Sequence, residues 1–210
     1  MSALDFHPQP LSVAQCHDPN TVFVAFGANL PGPYGKPETS VAHAIERMET
    51  WGDTILHGSL LYRTPAFPPG AGADYVNAVV AVKVENVTRF ITDAIAIEAA
   101  FRRAEERAMG RWKPRTIDID IVAVGQAIWP DADTHDMLRT LPQIERTKGE
   151  HGIVVPHPSM HERSFVLKPM AYFAPDWVHP ILGKTVHEMA EACPEEDLAA
   201  VRPIEDAALK

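Results

Sequence analysis

The sequence predicts one α+β domain with a ferredoxin-like βαββαβ core: an antiparallel sheet, helices on one face of it, and C-terminal helical additions. The chain has 210 residues, of which 46% are apolar, and this suits a single domain with an ordinary core. Alternating β-branched runs and helical apolar spacings follow one another in the order β, α, β, β, α, β. That order is the split βαβ arrangement.

The first half of the pattern contains three strands and one helix. A β-branched and aromatic run that ends at a glycine predicts a strand over 21–26. Apolar residues at helical spacing, preceded by capping groups, predict a helix over about 38–51. Strands are predicted over 54–64 and 75–85, and the proline- and glycine-rich stretch 65–74 between them is predicted to be a surface loop.

The second half contains the remaining helix and strand and the additions. A long amphipathic helix is predicted over 87–107 and a strand over 116–125. Residues 126–150 are polar and poorly periodic, which indicates an insertion into the domain. A helix interrupted by a proline is predicted over 163–175, and a short helix begins at about Thr185.

The two ends of the chain are predicted to lie outside the domain. We expect a flexible N-terminal arm over 1–20, one domain over 21–195, and a C-terminal tail over 196–210. Only two cysteines occur, Cys16 and Cys193, so the sequence supports neither a disulfide framework nor a thiolate metal cluster.

Charge and targeting signals narrow the class of protein. The formal net charge of −9 argues against general affinity for nucleic acid or anionic membranes. The N-terminus lacks the features of a signal peptide, and no apolar run approaches the length of a membrane span. We expect a cytoplasmic protein, monomeric or weakly homo-oligomeric, with no nucleic-acid or membrane partner.

The chemistry is concentrated in "GRWKPRTIDIDIVAVG", residues 110–125. Strand side chains alternate between faces, so Asp118 and Asp120 point the same way, about 6.6–6.8 Å apart along the strand. Two carboxylates at this separation repel unless a cation lies beside them, and oxygen ligands suit Mg²⁺ better than Zn²⁺. Phosphate oxygens and water would complete the ligand shell, which points to nucleotide chemistry. The alternative is a pair of solvated aspartates on an exposed face.

Basic residues beside the pair favour a polyphosphate ligand. Arg111, Lys113 and Arg115 alternate within a few residues of the aspartates, and arginine can hold phosphate with two parallel hydrogen bonds. Surface salt bridges to Glu105 and Glu106 are the alternative. The ring of Trp112 could equally be a core anchor or cover a bound base.

Two further groups of residues accompany the pair. His151, His157 and His161 invite a zinc interpretation, but their spacing matches no standard zinc site, and contacts of His157 and Arg163 with phosphates are more plausible. Phe67, Tyr75 and Asn77 could form a pocket that offers ring faces and an amide to a planar heterocycle, although the same residues are often ordinary core and turn residues.

These segments resemble the 6-hydroxymethyl-7,8-dihydropterin pyrophosphokinase family of folate biosynthesis. The similar segments are "VAFGANL", "LYRTPAF", "DYVNAVVAVKVE", "RWKPRTIDIDIVAVG" and "VPHPSMHERSFVLKPMAYFAPDWVHPILG", which together cover most of residues 22–183. The resemblance implies transfer of the β,γ-diphosphate of ATP to the hydroxymethyl group of the dihydropterin, with release of AMP and with two Mg²⁺ ions.

The resemblance also implies roles for individual residues. Asp118 and Asp120 would hold the metals, and Arg103, Trp112 and Arg115 would be catalytic. The implied ATP-binding residues are Glu98, Arg103, Trp112, Arg115, Ile121, His157 and Arg163. The implied pterin-binding residues are Gly27, Thr64, Pro65, Phe67, Tyr75, Asn77, Trp112, Asp118 and Phe165, with Tyr75 and Phe165 on either side of the ring.

The chain departs from the family pattern at four places. The usual "GSN" is "GAN", and the usual glycine of "RWGPR" is Lys113. The stretch before Trp112 is about two residues longer than usual, so Arg107 competes with Arg103 for a phosphate role. The inserted residues 126–150 could cover the ATP edge, bind a partner or decorate the surface.

Two other classes of protein could use the same parts. A metal-dependent nucleotidyltransferase or glycosyltransferase also favours an Asp-x-Asp pair with basic neighbours, but it would not need the pocket of Tyr75, Asn77 and Phe165. A binding module without activity is the second alternative. It would gain nothing from clustered like charges.

Overall fold

A computed structural model describes residues 10–50, 52–66, 72–101, 115–142 and 152–204. These residues form seven α-helices, one 3₁₀ helix and six strands. Along the chain they are α1 (Val13–His17), β1 (Thr21–Ala28), α2 (Pro37–Glu49), β2 (Thr54–Gly58), β3 (Tyr62–Thr64), β4 (Tyr75–Lys83), α3 (Val87–Phe101), β5 (Asp118–Val124), α4 (Ala132–Thr140), the 3₁₀ helix Met160–Glu162, α5 (Ser164–Ala171), α6 (Val186–Glu191), α7 (Glu195–Ala200) and β6 (Arg202–Pro203).

The sheet has the predicted ferredoxin-like arrangement. Its strand order is β5-β1-β4-β3-β6, and β2 also pairs with β4. Strand β1 lies inside the sheet, next to the edge, and is antiparallel to both β4 and β5. The first core strand, β1, thus lies between the third core strand, β4, and the last one, β5. Strand β5 is at the edge of the sheet.

The single strand predicted over 54–64 is two strands, β2 and β3. Ser59 lies at the break. Its backbone N–H donates to the carbonyl of Val79, and its hydroxyl accepts from the Val79 N–H, at 2.9 and 3.0 Å. Because Ser59 thereby takes both backbone groups of Val79, the strand leaves the ladder and resumes at β3 in a shifted register.

Both faces of the sheet are covered. Helices α2 and α3 pack on one face, to which β1 contributes Val22, Val24 and Phe26. Helices α1, α5 and α6 pack on the other face, to which β1 contributes Phe23 and Ala25. The helices of the two βαβ units therefore share one face, as predicted, and the added helices cover the second. The aspartate pair lies at one end of this second face.

The N-terminal arm is ordered where the structure describes it, contrary to the expectation for residues 1–20. Ser12 and Gln15 form a reciprocal capping box at the start of α1. Leu11 and Cys16 are buried in the core of the second face. The helix has a single turn, so its pattern is too short to be recognised in the sequence, and its stability comes from tertiary packing.

The insertion and the C-terminal tail also contain regular structure. Asp131 caps α4 by accepting a hydrogen bond from the Thr134 N–H at 2.8 Å. In the tail, β6 pairs with β3. The ammonium group of Lys168 donates to the carbonyls of Leu198 and Val201, at 2.8 and 2.7 Å. The described part of residues 196–210 is therefore joined to the domain rather than a tail outside it. No helix within the described ranges is long and apolar enough to cross a membrane.

Two histidines join α4 to the loop after α5. His135 and His179 are fully buried, with ring centroids 5.4 Å apart. Burial lowers the pKa of His179 to about 4, and the charges of His135, His161 and Arg139 act in the same direction. Burial also lowers the pKa of His135, against the opposite influence of Asp136. Burial therefore favours the neutral form of both rings in the folded protein.

We expect mild acid to weaken the fold through this pair. An unfolded histidine binds a proton near pH 6.5, so the unfolded state takes up more protons as the pH falls from 6.5 towards 4. Because the folded-state pKa of His179 is about 4, the loss in the free energy of unfolding grows to roughly 3 kcal/mol as the pH falls to that value. Urea unfolding at pH 7.5 and 4.5 measures the loss. The His135→Leu variant should lose less stability between the two pH values than the wild type. The control His187→Leu, at an exposed site, should lose as much as the wild type. Equal losses in the two variants would contradict the assignment of the acid sensitivity to the buried histidine pair.

Candidate active site

The two aspartates lie on one face of the edge strand β5. Asp118 pairs with Gly27 of β1, and Asp120 pairs with Ala25. Between them, Ile119 packs against the core on the opposite face, as the alternation predicts. The two carboxylates therefore share the face of the sheet that α5 partly covers.

Each carboxylate is paired with an arginine from a different part of the chain. Nη1 of Arg115 lies 2.8 Å from Oδ1 of Asp118, and Nη1 of Arg163 lies 3.0 Å from Oδ2 of Asp120. All four side chains are partly buried. Burial acts to lower the pKa of Arg115, but the negative charges of Asp118, Glu98 and Asp120 outweigh it, so the pKa is raised. The strand thus holds two like charges together because each has a cationic partner.

The predicted pocket continues the row of residues across the sheet. Asn77 pairs with Gly27, so Asp118, Gly27 and Asn77 lie side by side on three adjacent strands. The Asn77 side-chain N–H donates to Oγ1 of Thr64 at 2.7 Å, and both residues are buried. A Cβ at Gly27 would lie 3.1 Å from Oδ1 of Asn77. Glycine therefore leaves room for the Asn77 carbonyl over β1.

Two aromatic rings lie on the same face. Burial raises the pKa of Tyr75, and the nearby Asp118 raises it further, so the hydroxyl remains protonated. Phe165 is the second residue of α5, packs against the core of this face, and has its ring centroid 5.7 Å from Cζ of Arg163. Pro65, beyond the end of β3, is exposed.

The segment before α5 runs beside the edge of β5. The backbone N–H of His157 donates to the carbonyl of Val122 at 2.7 Å. Nδ1 of His157 accepts from the Ser159 N–H at 3.0 Å, so the proton of the neutral ring is on Nε2, a donor suited to an anion. Ile121 packs on the opposite face from the aspartates, where α3 carries the half-buried Glu98.

Some predicted residues lie outside the described part of the chain. They are Phe67, Arg103, Arg107, Arg111, Trp112, Lys113 and His151, together with the alternative salt-bridge partners Glu105 and Glu106. The structure therefore brings together Gly27, Thr64, Tyr75, Asn77, Arg115, Asp118, Asp120, His157, Arg163 and Phe165.

The donor set of the pair fits Mg²⁺. Two carboxylates on one face provide hard oxygen ligands, and their count is too small for a cage made of protein alone. Within the described ranges, no group of three or more His, Cys, Asp or Glu side chains could hold a metal ion. A cation at Asp118 and Asp120 would therefore need further oxygen ligands from a substrate or water.

Asn29, a further residue of this region, is not among the residues predicted from the sequence. It follows β1 directly and is 4% exposed. Its side chain joins the backbone of Arg115 to that of Ala73. The sequence marks "GAN" only as a departure from the family pattern, because hydrogen bonds to distant backbone groups leave no periodic signal in a sequence.

The fold and the paired carboxylates with their arginine partners are compatible with an enzyme of the phosphoryl-transfer class. Comparison with known proteins identifies the family. The sequence model of the 7,8-dihydro-6-hydroxymethylpterin-pyrophosphokinase (HPPK) family matches residues 23–175, and the chain belongs to this family. It is accordingly a transferase of the pyrophosphokinase class in folate biosynthesis.

Curated relatives agree over most of their length. The chain is 34% identical to a 2-amino-4-hydroxy-6-hydroxymethyldihydropteridine pyrophosphokinase of Methylorubrum extorquens, over 79% of this chain and 89% of the relative. It is 32% identical to that of Pseudomonas aeruginosa, over 84% and 94%. It is 30% identical to that of Synechocystis sp., over 84% and 72%.

Solved structures support the fold. The wild-type HPPK-DHPS of Plasmodium falciparum superposes with a TM-score of 0.55 at 12% identity, over 86% of this chain. This chain spans only 46% of that longer protein. The similarity therefore supports the fold alone.

Proposed function

We propose that this chain transfers the β,γ-diphosphate of ATP to the hydroxymethyl group of 6-hydroxymethyl-7,8-dihydropterin. The products are AMP and the pterin diphosphate. The observation that carries the proposal is the row of Asp118, Gly27 and Asn77 across the sheet, because it places a carboxylate pair next to an amide pocket. Family membership and the names of the relatives support the same substrates.

Asp118 and Asp120 would hold Mg²⁺, with two ions per ATP as the family resemblance implies. When bound, Mg²⁺ supplies positive charge that neutralises the polyphosphate and helps align it. The guanidinium groups of Arg115 and Arg163, which neutralise the aspartates in this structure, would bind phosphate oxygens. The Nε2–H of His157 is a further donor to the phosphates. Glu98 and Ile121 would contact the adenosine part of ATP.

The pterin would lie over Gly27, where no side chain covers β1. Asn77 offers its carbonyl over β1, while its amide nitrogen is held by Thr64. Tyr75 and Phe165 would lie on either side of the ring, with Pro65 and Phe67 at its edge. Because Tyr75 remains protonated, it adds no negative charge next to the phosphates.

Catalysis then consists mainly of positioning and charge stabilisation. Holding the pterin hydroxyl in line with the β-phosphorus converts a reaction between two molecules into one within a complex. Arg115 stabilises charge that develops on the transferring group, since a preorganised donor needs no rearrangement during the reaction. From the resemblance, Arg103 and Trp112 complete the catalytic set.

An AMP-release assay tests the proposed reaction. The protein is incubated with ATP, Mg²⁺ and 6-hydroxymethyl-7,8-dihydropterin, and the control omits the pterin. We expect AMP to form only when the pterin is present. Release of ADP or pyrophosphate, or AMP formation that does not depend on the pterin, would favour the rival transferase; no turnover would favour the binding module.

Thr64→Val tests the pterin pocket. The substitution keeps the shape of the side chain but removes the acceptor of the Asn77 N–H. A buried donor without a partner costs about 1–3 kcal/mol, and the amide can then rotate. We expect the KM for the pterin to rise at least tenfold, about 1.4 kcal/mol, with little change in the KM for ATP. Thr54→Val, at an exposed site on β2, is the matched control; equal pterin KM values in the two variants would contradict the role of Thr64.

A further inference from the structure

Asn29 hydrogen-bonds to backbone groups on both sides of the candidate site. Its Oδ1 accepts from the Arg115 N–H at 2.7 Å. The backbone N–H groups of Asn29 and Leu30 donate to the Arg115 carbonyl at 2.9 and 3.0 Å. The side-chain N–H of Asn29 donates to the Ala73 carbonyl at 3.0 Å. The amide and carbonyl of Arg115 are thus both held by the segment that follows β1.

The two residues held in this way belong to different halves of the site. Arg115 reaches Asp118 with its guanidinium group, on the ATP side of the proposed reaction. Ala73 lies two residues before Tyr75, which is on the pterin side. The buried side chain of Asn29 therefore links the backbone of Arg115, on the ATP side, to the backbone of Ala73, on the pterin side.

The same segment also lies close to Thr116, the residue after Arg115, and to Phe101. A Cβ at Gly32 would lie 3.4 Å from Cβ of Thr116. The Thr116 hydroxyl donates to the Phe101 carbonyl at 2.9 Å. The ring of Tyr34 packs on Phe101, with centroids 4.7 Å apart, and on His43, with centroids 3.9 Å apart. Tyr34 is nevertheless 40% exposed, so little of its apolar surface is removed from water. Its ring therefore acts mainly through its contacts with Phe101 and His43.

We propose that residues 29–36 form a positioning clamp for Arg115, in which Asn29 fixes the arginine backbone and Tyr34 supports the neighbouring Phe101–Thr116 contact. The clamp rests on the proposed function, because its purpose is to hold Arg115 and Tyr75 in register for the two substrates. Asn29 and Tyr34 are positioning residues, since they act through Arg115 and Tyr75. A displacement of about 1 Å can lower a rate about 100-fold, so such support matters for turnover.

Four variants separate the parts of the clamp. Asn29→Ala removes both side-chain bonds. Asn29→Asp, tested at pH 8, keeps the acceptor for the Arg115 N–H and removes the donor to Ala73. Tyr34→Ala removes the ring, and Tyr34→Phe restores it without the hydroxyl. The matched control is Asn86→Ala, because the exposed Asn86 also accepts from a backbone N–H, that of Arg89 at 2.9 Å, but at the start of α3.

The first readout is amide hydrogen exchange at Arg115 without substrates. We expect exchange to accelerate in Asn29→Ala and to remain slow in Asn29→Asp and Asn86→Ala. Unchanged exchange in Asn29→Ala would overturn the proposal. No substrate is present, so the exchange result shows whether Asn29 holds Arg115 whatever the outcome of the AMP assay. A wild-type protein that is inactive in the AMP assay would overturn the proposed function and not the contact between Asn29 and Arg115.

The second readout separates kcat from KM. We expect kcat to fall at least about tenfold in Asn29→Ala and less in Asn29→Asp, while the KM for the pterin rises in both. Tyr34→Ala should lower kcat by a smaller factor, and Tyr34→Phe should restore it. A kcat of Asn29→Ala equal to that of Asn86→Ala, or no recovery in Tyr34→Phe, would overturn the clamp.

Discussion

Replacing Asp118 by asparagine is expected to reduce pterin-dependent AMP formation at least about 100-fold, because residues that merely orient metal ligands already contribute roughly 10–100-fold. The amide is neutral and a weaker ligand for Mg²⁺ than a carboxylate. It also leaves Arg115 without its anionic partner at 2.8 Å. Asp120→Asn is expected to act in the same way through Arg163. Initial rates of AMP release at saturating ATP and Mg²⁺ measure the effect.

The loss of AMP formation should come from the missing carboxylate and not from a less stable fold. Asp118 and Arg115 are each 27% exposed, and ion pairs near the surface contribute about 1 kcal/mol or less to stability. The matched control is Asp136→Asn, since Asp136 also pairs with an arginine three residues away, at 3.0 Å, but on the exposed side of α4. Wild-type turnover in Asp118→Asn, or an equal loss in Asp136→Asn, would contradict the assignment of the aspartate pair.

Replacing Gly125 by alanine is expected to lower the free energy of unfolding by at least about 3 kcal/mol. Gly125 has φ +48°, which L side chains rarely adopt, and a Cβ there would lie 2.6 Å from the carbonyl oxygen of Asp18. The glycine carbonyl also accepts a hydrogen bond from Nε1 of the buried Trp177 at 2.9 Å. Because the obstacle is backbone, relief requires moving α1 or β5.

Gly183→Ala separates the steric effect from the backbone conformation. Gly183 has a similar φ of +64° but no atom within 4 Å of its added Cβ. Urea unfolding at pH 7.5 should give a clearly lower midpoint for Gly125→Ala than for Gly183→Ala. Equal midpoints would show that the contact between β5 and the segment before β1 is not a close one.

Local, periodic features of the chain could be predicted from the sequence. Alternation on β5 placed Asp118 and Asp120 on one face and Ile119 on the other, and the structure confirms it. The capping residue Thr185 marked the start of α6 correctly. Such signals are contained within a few residues, so no knowledge of the tertiary structure is needed to interpret them.

Features that depend on distant partners could not be predicted. Helix α1 is too short to show a period, and β6 is two residues long and exists because β3 offers it a free edge. The partners of the aspartates, Arg115 and Arg163, are 3 and 43 residues away from them along the chain. Only the nearer pairing leaves a pattern in the sequence, and the role of Asn29 leaves none.

The most direct test of the central claim follows the phosphorus atoms of ATP. In parallel reactions with the pterin and Mg²⁺, the label is placed on the α- or the γ-phosphorus, and the products are separated. We expect the α-label in AMP and the γ-label in the pterin diphosphate, since the β,γ-diphosphate moves as one unit. An α-label on the pterin, or a γ-label in free phosphate with ADP as the other product, would contradict diphosphate transfer at this site.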